Sequence, residues 1–88
     1  MNPGPAPAVP ADLVLYLAQR LVSEPDAVRV EELDGPDGEL VLRLHVAEAN
    51  RGMIIGRRGR TVQSLRILAR AAGARRDRRT MLEIAEDD

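Results

Sequence analysis

The stretch Ile54-Ile55-Gly56-Arg57-Arg58-Gly59-Arg60 decides how the rest of the chain is read. Two glycines flank two arginines, an apolar pair precedes them, and a helical pattern resumes directly after Gly59. Glycine lacks a Cβ and permits positive φ, so the backbone turns sharply here and a ligand can approach it. The helix that follows offers free N–H groups and the positive end of its dipole, which suit a phosphate. Arg57 and Arg58 stand at the tip, within reach of neighbouring phosphates. Ile54 and Ile55, beside the loop, offer an apolar surface to a base. A single-stranded nucleic acid supplies both partners at once.

Working upstream, Ala47 to Ile55 reads as a short helix with Ala49, Met53 and Ile54 on its buried face. Gly52 inside it costs about 1 kcal/mol of helix propensity relative to Ala. Close packing or the close approach of a ligand would explain that glycine. Before this helix, Glu39 to Val46 alternates, with Leu40, Leu42, Leu44 and Val46 on one side and Val41, Arg43 and His45 on the other. Ala27 to Leu33 alternates as well. The intervening Asp34-Gly35-Pro36-Asp37-Gly38 is a dense turn signal, so the two runs predict an antiparallel hairpin. Pro10-Ala11-Asp12 opens a first helix that runs to Ser23 and is ended by Pro25. Leu13, Val14, Leu17 and Leu21 form its apolar stripe, and Tyr16 is expected against the sheet or at an interface.

Downstream, Thr61 to Ala72 reads as a helix with Val62, Leu65, Ile67, Leu68 and Ala69 inward and Gln63, Arg66 and Arg70 outward. Gly73 is the expected C-cap. Residues 74–79 form a basic loop, and Thr80 to Glu86 is a last strand with Leu82 and Ile84 inward. The order α-β-β-α-α-β predicts an α+β domain, a three-stranded sheet with helices packed on one face. Residues 1–10 read as a disordered tail, 11–86 as the domain and 87–88 as an acidic end.

The net charge of −1 conceals a segregation of charge. Residues 1–50 carry three arginines against nine acids, whereas residues 51–80 carry ten arginines against Asp77 alone, a block at +9. Such a block is the electrostatic footprint of a polyanion partner. Every basic residue is Arg, which suits bidentate phosphate contact and stacking. With no cysteine, disulfides, thiol nucleophiles and thiolate metal sites are excluded. There is one histidine, His45, on the polar face of its strand, and it is expected as a surface residue near the nucleic-acid groove. No paired carboxylates suggest catalysis, so no enzyme, metal or cofactor is expected. No apolar window approaches the roughly 20 residues that span a bilayer, and no targeting segment is evident, so a cytoplasmic protein is expected.

The quoted stretch resembles the core of the KH domain, in which a Gly-x-x-Gly loop joins two helices and clamps about four nucleotides of backbone. The family's core reads Val-Ile-Gly-Lys-x-Gly, here Ile54-Ile55-Gly56-Arg57-Arg58-Gly59. The α-β lead-in is similar to the type II arrangement. At this length the chain looks like the small bacterial KhpA-type RNA-binding proteins. Further matches are Asp12-Leu13-Val14-x-Tyr16-Leu17-Ala18 and the Leu21-Val22 … Pro25 helix ending. The resemblance implies a single-stranded RNA ligand and a role as RNA chaperone or post-transcriptional regulator, with an association with cell shape. It implies pairing with a second copy or with a larger KhpB (Jag-type) KH protein, with no membrane or small-molecule substrate. On this resemblance Gly56, Arg57, Arg58 and Gly59 are the phosphate clamp, Ile54 and Ile55 support the groove, and Arg60 begins the next helix. Two loop arginines depart from the family's single basic residue, which adds affinity without base specificity. Arg43 and Arg66 either line the groove or are solvated, and Arg75 to Arg79 is a solvated loop or adds non-specific RNA attraction. The alternative function is a KH-fold dimerisation scaffold with incidental nucleic-acid contact. A dinucleotide fingerprint is excluded because the loop does not follow a strand, and a P-loop because no Gly-Lys-Ser/Thr is present.

Overall fold

The structure, a computed structural model, describes residues 9–86. The acidic end (87–88) and most of the expected N-terminal tail (1–8) lie outside the described residues. The elements are α1 (Pro10–Leu21), β1 (Arg29–Asp34), β2 (Leu40–His45), α2 (Arg51–Ile55), α3 (Arg60–Ala74) and β3 (Thr80–Ile84), the order expected from the sequence. The sheet order is β1-β2-β3. β1 and β2 are antiparallel, with Arg29 opposite His45 and Asp34 opposite Leu40. β2 and β3 are parallel, with Leu40 opposite Thr80 and Leu44 opposite Ile84. A parallel pair needs a long crossover. Here α2, the glycine loop and α3 supply it, and this places the loop between two helices.

The central strand holds the core. Leu40, Leu42, Leu44 and Val46 are all buried, against Val14 and Ala18 of α1, Ile54 of α2, Leu65 and Ala69 of α3, and Leu82 of β3. The alternate residues Arg43 and His45 therefore lie on the sheet's other face, away from the helices. The hairpin turn uses Asp37 and Gly38 at φ 57° and 77°, conformations that Asp tolerates and Gly favours.

Several expected helix faces are corrected. In α1 Val14 and Ala18 are buried and Ala11, Leu15 and Leu17 pack against the core, so Val14 and Leu17 lie inward as expected, whereas Leu21 is exposed. Tyr16 is half-buried, and the Arg20 guanidinium lies 3.6 Å from its ring centroid. The helix stops at Leu21, before the expected Ser23, and Val22 is already extended.

The expected helix of 47–55 divides into a 3-10 turn, Glu48–Asn50, and α2. Ala49 and Met53 are exposed, and Asn50 takes the buried position instead. Its Nδ2 donates to Ser23 Oγ at 2.8 Å, and its Oδ1 accepts from Glu24 N at 3.1 Å. That pair ties the exit of α1 to the entry of α2 and satisfies a buried amide that would otherwise be costly.

In α3, Ile67 and Leu68 are exposed, contrary to expectation. Gly73 is not a C-cap, since the helix runs on to Ala74. A Cβ at Gly73 would collide with Thr80 Oγ1 and stand 2.6 Å from Arg78 O, so this glycine lets α3 touch β3. The chain reverses instead at Asp77, with φ 55°, while Arg76 N and Arg78 N both donate to Gly73 O at 2.9 Å.

Candidate nucleic-acid interface

α2 closes on Gly56, whose N–H donates to Gly52 O at 2.8 Å. Gly56 then adopts φ 76° and ψ 177°, a conformation open essentially to glycine alone. It also has no room for a side chain, because a Cβ would meet Thr61 Oγ1 and lie 2.6 Å from Thr61 Cβ. Arg58 follows at φ 57°, left-handed without being glycine, and Gly59 at φ 73°. The turn is held by Gly59 N donating to Gly56 O at 3.2 Å. A Cβ at Gly59 would meet nothing. The two glycines thus serve different ends: Gly56 needs both its φ and its missing Cβ, Gly59 only its φ.

Gly59 is the N-cap of α3, and no side chain caps that end. Orphan N–H groups therefore open the helix beside Arg57, Arg58 and Arg60, all exposed. These three arginines form no salt bridge among the described residues. Of the basic block only Arg78 pairs with a carboxylate there, with Nη2 to Asp34 Oδ1 at 3.1 Å. Arg51 Nη1 donates to Ala85 O at 3.1 Å and Arg66 Nε to Leu82 O at 3.3 Å. Both acceptors are backbone carbonyls rather than carboxylates, and Leu82 lies on β3, an edge strand of the sheet.

The two isoleucines separate. Ile54 is fully buried, as its place on the helix's expected inner face requires, which corrects the expectation that it offers a surface to a base; it anchors α2 in the core. Ile55 is 38% exposed beside the loop. Met53, expected inside, is half exposed on the same short helix. A Cβ at Gly52 would meet nothing within 4 Å, so close packing does not explain that glycine.

His45 is not near the loop. It lies on the sheet face opposite the helices, with Nε2 donating to Glu31 Oε1 at 3.0 Å. Arg43 shares that face, donating from Nε to Glu83 Oε1 at 2.7 Å and lying 3.8 Å from Glu31. The hydrogen bond from His45, with Arg43 beside it, holds the Glu31 carboxyl below its ordinary value of 4.5. Sequence reasoning missed Thr61 and Asn50. No residue signal marks Thr61, because its function is to fit against a missing side chain.

An αβ lead-in, a β-α-α-β core and a Gly-x-x-Gly loop between the paired helices define a KH domain in the type II order. The chain belongs to the KhpA/KhpB KH-domain family, whose sequence model matches residues 11–84. Among the similar proteins, the RNA-binding protein KhpA of Halalkalibacterium halodurans is 41% identical over 75 residues, covering 84% of this chain and 96% of the relative. That of Aquifex aeolicus is 39% identical over 75 residues, covering 85% and 94%. That of Caldanaerobacter subterraneus is 38% identical over 73 residues, covering 83% and 96%. The fold is also similar to part of Aquifex aeolicus Era bound to GDP.AlF4-, with TM-score 0.57 and 24% identity over 92% of this chain. The chain spans about a third of that Era chain (31%). Era solved with MgGDPNP and nucleotides 1506-1542 of 16S ribosomal RNA gives TM-score 0.56 at 24% identity, covering 93% of this chain and 31% of that one. No helix among the described residues is long and apolar enough to cross a membrane.

Proposed function

We propose that the chain binds single-stranded RNA through its backbone at Gly56-Arg57-Arg58-Gly59 and acts as an RNA chaperone or post-transcriptional regulator in the cytoplasm. The observation that carries this is the conjunction at the loop. A turn that only glycine can make at Gly56 delivers three unpaired arginines to the uncapped start of α3. Phosphates would sit on the α3 N–H groups and on Arg57, Arg58 and Arg60, and a base would lie against Ile55. Such contacts position a strand without reading its sequence. The RNA-binding relatives, similar over most of their length, support the same ligand class. One loop holds about four nucleotides. Pairing with a second copy, or with a larger KhpB-type protein, would raise avidity without new contacts.

The test is Arg57→Asp with Arg58→Asp, followed by fluorescence anisotropy with a labelled oligouridine. Asp tolerates the left-handed conformation at 58, so the fold is kept while the local charge is reversed. Loss of binding with an unchanged circular dichroism spectrum is expected. Unaltered binding would sink the loop assignment.

A further inference from the structure

α2 is too short to aim itself. Helices below about 12 residues are marginal on their own, and this one has five, Arg51–Ile55, of which only Ile54 is buried. One packed side chain holds the helix to the core but leaves its direction free. That direction matters, because α2 ends at Gly56 and so sets where the loop arginines stand relative to the start of α3. Two further attachments lie at its entry. The first is Arg51, whose Nη1 donates to Ala85 O just past β3.

The second is Asn50. It occupies the N-cap position of α2, where an asparagine side chain ordinarily accepts from the helix's own first N–H groups. Here it makes no such bond. The residue is 1% exposed, and its amide turns to the exit of α1. Nδ2 donates to Ser23 Oγ and, at 3.6 Å, to Met53 Sδ, while Oδ1 accepts from Glu24 N. Both amide hydrogens and the carbonyl are thus engaged. Its partners across elements lie 26 and 27 residues away, so the side chain latches two elements together instead of capping its own.

We propose that Asn50, through Ser23 and Glu24, is a positioning residue for the glycine loop. It sets the direction of α2, and hence the spacing between Arg57, Arg58 and the N–H groups of α3. It touches no RNA: it is buried, and at the rise of an α-helix it stands about 9 Å from Gly56. Binding groups need such support, since a site must be held within about 0.5 Å of its working geometry. This inference rests on the loop binding RNA, and it names what aims the loop.

The experiment measures oligouridine tetramer affinity by anisotropy, with thermal unfolding of each protein. The set is the wild type, Ser23→Ala, Ser23→Thr, Asn50→Ala, the pair Ser23→Ala/Asn50→Ala, and Arg57→Asp/Arg58→Asp. Ser23 is exposed and uncharged, so its variants fold and the test stands even where Asn50→Ala is too unstable to bind. Ser23→Ala should lower affinity about threefold and Asn50→Ala about tenfold, the scale of one and of several lost hydrogen bonds. The pair should fall no further than Asn50→Ala, because the two residues share one contact. Ser23→Thr keeps the hydroxyl and should restore the affinity that Ser23→Ala loses. Lower melting temperatures with wild-type affinity, at a temperature where every variant is folded, would overturn the latch, and so would additive losses in the pair. Undiminished binding by Arg57→Asp/Arg58→Asp overturns the loop reading and the latch with it. Binding lost there and kept in the Ser23 and Asn50 variants overturns the latch alone.

Discussion

Thr61 stands against Gly56 so closely that a side chain on Gly56 would strike its hydroxyl. The contact joins the last residue before the turn to the first turn of α3, and it fixes where the helix starts relative to α2. Gly56 also holds φ 76° with an extended ψ. Backbone strain of that kind costs of order 1–3 kcal/mol in a non-glycine residue, before any collision. Gly56→Ala is therefore expected to lower stability by more than that strain alone, and to reduce RNA affinity with it. Gly59→Asn should cost under about 1 kcal/mol, because Asn visits the left-handed region and a Cβ there meets nothing. Thermal unfolding of the two variants checks the contrast; equal losses would refute the division of labour between the glycines.

Gly52 is a second test of the same surface. It weakens α2 with no steric reason on the protein side. Gly52→Ala should stabilise the fold by about 1 kcal/mol in denaturant titrations. The added methyl points to open space on the helix that ends at the loop, so RNA affinity should fall while stability rises. Improved stability with unchanged affinity would remove Gly52 from the interface.

The isoleucine pair predicts opposite phenotypes. Ile54→Ala empties a fully buried site and should cost about 3 kcal/mol, a large share of what an 88-residue domain has to lose. Ile55→Ala should change stability by about 0.5 kcal/mol or less, as partly exposed positions do, yet weaken RNA binding. Chemical denaturation and anisotropy on the same two proteins separate these effects.

The outer sheet face gives a pH dependence. Glu31 is held below its ordinary value first by the hydrogen bond from His45, then by the charge of Arg43. A carboxyl depressed in the folded state contributes stability above its unfolded value and loses it as pH falls through the folded one. Stability should thus decline as pH drops below 4.5, the ordinary value of this group. His45→Ala should move the Glu31 titration midpoint upward in a carboxyl-carbon NMR titration. Because this face lies away from the loop, RNA affinity should not follow that change.

Much of this architecture was legible in the sequence because it rests on periodicity and turn chemistry. Leu40, Leu42, Leu44 and Val46 alternate with polar neighbours and do form the buried face of the central strand. The turn at 34–38 and the glycine loop also fall where glycine and aspartate place them. What escaped was set by close fit between elements. Ala18 is fully buried while Leu21 is exposed, and residue type alone would have favoured the leucine. Gly73 reads like a helix stop but is a contact point with Thr80, which becomes visible only when α3 and β3 are placed together. Asn50 is buried because Ser23 and Glu24 meet it from 26 or 27 residues away. In the candidate site, the loop and its arginines were legible from residue type alone. The position of His45 was not, because it depends on which side of the sheet faces the helices.

The central claim is that RNA lands on the glycine loop. Amide chemical-shift mapping with an oligouridine tetramer tests it most directly. The account predicts that the largest shifts fall on Gly52, Ile55 and residues 56–61, with Arg43 and His45 unmoved. Shifts centred on the outer sheet face, with the loop amides silent, would contradict it.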